Sequence, residues 1–300
     1  MTQNDSRKGP GILLPILAVV SAMAAFQIGA AFAKNLFPSI GPQGAAALRL
    51  LFGSIMLLAL VRPWRNWPKN PPLLSLAGLG LAMAGAIQMF YLAIDHLPLG
   101  IAIAIQFLGP LAIAVFGSRR AIDLVWAALA AAGVWCLVAI SSDGKPIDLA
   151  GVGWALGAAV SWASYILLGR RVTSVFGNST AAIAVSIAAI VILPIGFAHA
   201  GMALFAPELI PLALAVALFS AAIPFSLEFF AMPRMPPRVF AVFMSLEPSF
   251  GVLFGFLILQ ERLTPFQIAG IAMVIAAAAG AAWSARPRTA PSSPADAPLT

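Results

Sequence analysis

The feature that most constrains this chain is a succession of apolar runs, each long enough to cross a bilayer and separated by short loops. They lie near residues 12–33, 44–61, 73–94, 99–117, 121–140, 150–168, 180–198, 209–229, 239–259 and 265–284. A transmembrane helix needs roughly 17 to 25 predominantly apolar residues. In hydrocarbon no water is present to satisfy backbone N–H and C=O groups, so such runs must be helical. The pattern predicts an all-α polytopic membrane protein with ten transmembrane helices. Composition agrees, because 61% hydrophobic and 9% charged residues, at a mean hydropathy of +0.98, leave too few charges to cover a soluble globule.

The first run follows Arg7 and Lys8 and ends on Ala31-Phe32-Ala33, which looks like a signal-peptide cleavage site. Its apolar core exceeds the usual length of about 7 to 15 residues, which favours a retained helix. Positively charged short loops stay cytoplasmic. With the N-terminus inside, the cytoplasmic set is Arg7, Lys8, Arg62, Arg65, Lys69, Arg119, Arg120, Arg170, Arg171, Arg234, Arg238, Arg286 and Arg288, against Lys34, Lys145 and Arg262 outside. This bias predicts both termini in the cytoplasm and an even number of spans. It also explains the formal charge of +7 without nucleic acid, since the basic residues fall singly or in pairs between apolar runs. Trp64, Trp67, Trp126 and Trp283 fall near predicted cytoplasmic ends, as belt or packing residues. Cys136, the single cysteine, has no partner for an internal disulfide and reads as packing.

No soluble domain fits between these runs, and the tails, 1–11 and 285–300, have the composition of disordered segments. The chain contains no His-Glu-x-x-His, no Gly-x-Ser-x-Gly and no glycine-rich phosphate loop, which argues against an enzyme and against direct drive by ATP. His96 and His199 lie at span ends, as solvated loop residues do.

Against itself the chain shows a duplication. At an offset of 138, FYLAIDHLPLGIAIAIQFLGPL (90–111) lies over EFFAMPRMPPRVFAVFMSLEPS (228–249), pairing Ala93 with Ala231, Pro98 with Pro236 and Pro110 with Pro248, and further on Phe116-Gly117 with Phe254-Gly255. The unit is five helices, 12–141 and 150–284, joined by a linker at 142–149. An odd number turns the second copy upside down. Inverted repeats of this kind build secondary transporters, whose sites lie near the midplane where helices are broken. Pro110 and Pro248 each remove a backbone hydrogen bond inside a span, so they are either ordinary packing kinks or symmetry-related breaks lining a cavity. Their pairing across the repeat favours breaks.

Four polar side chains inside spans are the candidate substrate and proton-coupling residues. Glu247 recurs with Gly251 and Gly255 every four residues, so the three share one helix face that can approach a neighbour closely. An acid there marks a substrate or proton path, or else bonds structurally to another helix. Gln106 precedes Pro110 by one turn and serves either the cavity or a helix–helix hydrogen bond. Glu228, after Pro224, pairs with Arg234 or Arg238 near the interface, or takes part in transport. Arg49, six residues into the second span, snorkels outward or holds a substrate carboxylate.

AALRLLFG (46–53), PLGIAIAIQFLGPLAIAVFGSRRAIDLVW (98–126), AIPFSLEFF (222–230) and MSLEPSFGVLFGFLILQERLTPFQIAGI (244–271) resemble the drug/metabolite transporter superfamily with its EamA repeats, in the threonine and homoserine exporter branch. The resemblance covers all but the tails. It implies proton-driven export of small neutral amino acids across a bacterial cytoplasmic membrane, without a cofactor. Where this branch often carries an acid, before the first repeat's Gly-Pro, this chain has Gln106, which leaves Glu247 and Glu228 as the buried acids. A drug or lipid-intermediate exporter of the same superfamily would share the fold.

Overall fold

The computed structural model describes residues 13–116, 121–139, 147–231 and 234–284, and among them it is helical with no strand. Thirteen α-helices follow in order: α1 (Leu13–Lys34), α2 (Phe37–Val61), α3 (Leu73–His96), α4 (Leu99–Gln106), α5 (Leu108–Phe116), α6 (Ala121–Ala139), α7 (Leu149–Phe176), α8 (Ser179–Ala200), α9 (Ile210–Ala217), α10 (Ile223–Ala231), α11 (Pro237–Met244), α12 (Glu247–Leu259) and α13 (Pro265–Ser284). Joined end to end where they continue one another, they make eight helical segments long and apolar enough to cross a membrane. Two shorter apolar helices, Leu99–Ile113 and Ile122–Val138, lie within two further apolar runs of the sequence. Both expected tails, the linker residues 142–146, and Arg119, Arg120 and Lys145 lie outside the described residues.

Helix α2 begins well before the apolar run from which it was expected. It starts at Phe37 and runs through a kink at Gly41 (φ 67°, ψ 171°), a backbone position open to glycine, followed by Pro42. The Gly-Pro-Gln-Gly stretch interrupts the hydropathy without ending the helix. Arg49 is thereby placed at the centre of α2 rather than near its start.

A turn of one or two residues interrupts the helix just before each of the two prolines, and the two turns are built alike. A proline has no N–H for the carbonyl four residues earlier and crowds it. That carbonyl belongs to Gln106 for Pro110 and to Met244 for Pro248, and these are the last residues of α4 and α11. The linking residues match in backbone: Phe107 has φ −66°, ψ −12°, and Ser245 has φ −67°, ψ −12°. Pro98 and Pro236, which cap the two first halves, match as well, at φ −54°, ψ 142° and φ −57°, ψ 136°.

A third break, not expected from sequence, divides the span holding Glu228. Residues Leu218–Ala222 form a π-helical turn between α9 and α10, a distortion that recurs at functional sites. Pro224 follows it, so the Ser220 carbonyl has no α-register donor.

Packing runs α2 along α8, α3 along α7, α6 along α13, α1 along α10, and α4 across α12. In lipid, close approach replaces the hydrophobic effect as the source of cohesion, so small residues mark the crossings. A Cβ placed on Gly133 would lie 2.8 Å from the Gly270 carbonyl oxygen, and one on Gly270 2.7 Å from that of Gly133, which brings α6 and α13 backbone to backbone. At the crossing of the broken helices, a Cβ on Gly251 would lie 3.3 Å from Gly100 Cα. The shared face of Glu247, Gly251 and Gly255 is thus turned into the bundle.

Candidate functional site

Residues at two of the breaks line a small cavity of about 30 Å³, room for a water or two. Its walls come from α1 (Phe26), α2 (Arg49), α3 (Ala86, Ile87, Phe90), α4 and its break (Ile103, Gln106, Phe107), α7 (Trp162) and α12 (Glu247). Three of the four polar residues singled out from sequence therefore meet in one place. Pro110 and Pro248 are not themselves among the wall residues; they follow the ends of half-helices that are, Gln106 of α4 and Glu247 of α12. Glu247 is the first residue of α12, where the free N–H groups of a helix N-terminus favour an acid.

Arg49 is 4% exposed. It does not snorkel. Its Nη2 donates to the Ser220 carbonyl oxygen at 3.1 Å, giving a donor to the carbonyl that Pro224 cannot serve. The guanidinium also lies over the Phe26 ring at 5.0 Å and the Tyr91 ring at 5.5 Å, contacts in which a cation is attracted to the ring faces. No carboxylate pairs with it among the described residues. The buried guanidinium is balanced by a carbonyl dipole, two ring faces and the neighbouring Tyr91 hydroxyl, with no anion beside it among the described residues.

Glu247 Oε1 accepts from Gln27 Nε2 at 3.3 Å, and Gln27 is fully buried, with its own Oε1 unpartnered. Gln27 escaped the sequence reading, although it is the one amide in the run 12–33. Phe26, Tyr91 and Trp162 escaped it too, because aromatic residues in apolar helices carry no distinguishing pattern.

Glu228 corrects one expectation. It does not pair with Arg234, whose Nη1 donates to the Phe230 carbonyl and whose guanidinium stacks 4.1 Å over the Phe230 ring. The Arg238 side chain lies outside the described residues. Glu228 instead faces inward from α10, within electrostatic range of Glu247 and of Tyr165.

The two ends of the bundle differ. Where α1 finishes, Glu261 joins three elements: its Oε1 pairs with Lys34 Nζ at 2.8 Å and its Oε2 accepts from Leu99 N at 2.7 Å, at the start of α4. Nearby, His96, exposed at the end of α3, meets Asp148 at 2.7 Å. The Ala150 N–H and the His96 ring hold the Asp148 carboxyl below the usual carboxylate range. At the opposite end a groove of about 910 Å³ opens between the end of α2, the α7–α8 turn and Ser226. Among the described residues its walls carry no Asp, Glu, Lys or Arg. Among the described residues, no three His, Cys, Asp or Glu side chains gather as a metal cage would require.

Polar and charged side chains collected at helix breaks, within a bundle of membrane-crossing helices, define a multi-pass membrane transporter. The chain belongs to the EamA-like transporter family, whose profile matches residues 149–283. It is 44% identical to the threonine/homoserine exporter RhtA of Escherichia coli K12 over 280 residues, 93% of this chain and 95% of that protein. To the exporter of the same name from Salmonella typhimurium SL1344 it is 44% identical over 282 residues, 94% of this chain and 95% of that one. The Bacillus subtilis protein YwfM, described as an uncharacterized transporter, is 30% identical over 254 residues, 79% of this chain and 83% of its own length. A solved structure described only as "Crystal structure of protein" shares the fold, with a TM-score of 0.59 at 18% identity over 88% of this chain and 96% of that one.

Proposed function

We propose that this protein exports small neutral amino acids, threonine and homoserine, across a bacterial cytoplasmic membrane in exchange for protons. It does so as ten spans in two inverted five-helix repeats, 12–141 and 150–284, with both termini cytoplasmic. The observation that carries the reading is the buried Arg49, without a carboxylate partner among the described residues, in one cavity with Glu247. A zwitterion supplies what each lacks, its carboxylate to Arg49 and its ammonium to Glu247. The names of the RhtA relatives supply the substrates. The matched breaks at 98–110 and 236–248 support the repeat, and the basic loops support the orientation.

In this mechanism the zwitterion enters from the cytoplasmic end, where the uncharged groove lies. The small cavity widens as α4 and α12 part at their breaks. Glu247 gives up its proton inward as the ammonium arrives. Opening to the other side separates Glu261 from Lys34 and from the start of α4. The substrate leaves, an outside proton takes its place on Glu247, and the neutral carboxyl returns. Gln106 offers an uncharged donor and acceptor to the bound molecule. Glu228, on α10, relays protons between Glu247 and the cytoplasmic end.

Inverted membrane vesicles containing the protein are expected to accumulate labelled threonine and homoserine when the lumen is acid, and to lose that stimulation when the gradient is collapsed. Stimulated uptake of unrelated drugs or lipid intermediates, with no response to either amino acid, would replace this reading by that of another exporter. For orientation, a reporter fused after Arg120 is expected to report cytoplasm and one fused after Lys145 periplasm; the reverse pattern sinks the topology.

A further inference from the structure

Gln27 places a fully buried amide in the middle of an apolar helix, between Phe26 and Ile28. Burying an amide without full hydrogen bonding is costly, and Gln27 Oε1 has no partner. Its Nε2 makes the one hydrogen bond to the Glu247 side chain among the described residues. We propose that Gln27 is the positioning residue for Glu247, bonding that carboxyl in both its charged and its neutral state. This rests on the reading of Glu247 as the coupling acid.

The inference follows from the donor inventory. An ionised carboxylate only accepts, whereas a carboxylic acid also donates. A cationic donor such as Lys or Arg favours the charged state and would hold Glu247 ionised. A glutamine serves both, because a half-turn of its terminal amide exchanges Nε2 for Oε1 in nearly the same space. The unpartnered oxygen is the acceptor held ready for the protonated form. The other groups facing Glu247 do not take this place: Arg49 on α2 is bonded to Ser220, Gln106 on α4 and Trp162 on α7 share the cavity without bonding to the carboxyl, and Glu228 on α10 is itself an acid. Held from α1 throughout the cycle, Glu247 presents its second oxygen to the cavity in either state.

The test uses the full-length protein in proteoliposomes. Gln27→Met keeps length and volume and removes both hydrogen-bonding roles, so the variant should insert and fold as wild type does. Gradient-driven threonine export should fall about tenfold, the worth of one hydrogen bond to a charged group, and its pH profile should move by about one unit. Added to Glu247→Gln, the same change should have no further effect on the pH profile, because the partner it positions is gone. If Glu247→Gln abolishes coupling while Gln27→Met keeps the wild-type pH profile, the assignment of Gln27 is wrong and the role of Glu247 stands. The assignment also falls if Gln27→Met lowers exchange and driven export equally with an unmoved profile, which is a packing defect. If Glu247→Gln itself exports with wild-type pH dependence, both readings fall together.

Discussion

Glu247→Gln is expected to yield a protein that inserts and folds, exchanges threonine only at substrate concentrations well above those wild type needs, and shows no stimulation of export by a proton gradient. The substitution keeps the side chain's size and removes its ability to change charge. The amide still bonds Gln27 at the start of α12, so the crossing of α4 and α12 at Gly100 and Gly251 is preserved. What is lost is the alternation in which a proton and a substrate ammonium occupy the same oxygen atoms. Measuring gradient-driven export and gradient-free exchange on one preparation separates the two. Wild-type driven export with wild-type pH dependence would reduce Glu247 to a packing residue.

Arg49→Met is expected to affect both transport and stability, for different reasons. Removing a buried charge that meets a substrate carboxylate costs about 2 to 5 kcal/mol, so half-maximal export should need about thirtyfold more substrate or beyond. The gradient should not restore it. Separately, the Ser220 carbonyl loses its guanidinium donor, and an under-satisfied buried polar group costs about 1 to 3 kcal/mol. The thermal midpoint in detergent should fall accordingly. Adding Pro224→Ala returns an N–H in register with that carbonyl, so the double variant should recover stability while its substrate affinity stays low. Recovery of both would show that Arg49 only braces the π-helical turn, and the carboxylate site would then have to lie elsewhere.

Much of this arrangement can be seen in the chain before it folds. Lipid forces apolar runs into helices, so the helical class and the approximate placement of the membrane-crossing segments follow from hydropathy alone. Proline acts on its own backbone and on the carbonyl one turn earlier, so breaks ending at Gln106 and Met244 are local consequences of Pro110 and Pro248. The face formed by Glu247, Gly251 and Gly255 is a matter of helical period, and it does turn inward.

What the sequence could not determine is which faces meet. A helix apolar all round has no amphipathic stripe to say which side looks at protein and which at lipid. Gln27 and Glu247 are 220 positions apart, and Arg49 and Ser220 are 171 apart. No local rule joins them; only the packing of α1 on α12, and of α2 beside the π-helical turn, brings donor to acceptor. The same holds for Glu228, whose nearest cation in sequence is turned onto Phe230, and for Glu261, which crosses to Lys34 and to the start of α4. Local chemistry therefore determined the helices and the turns before Pro110 and Pro248, whereas tertiary packing decided which polar groups share a cavity, because buried polar groups take whatever partners the assembled bundle places within hydrogen-bonding distance.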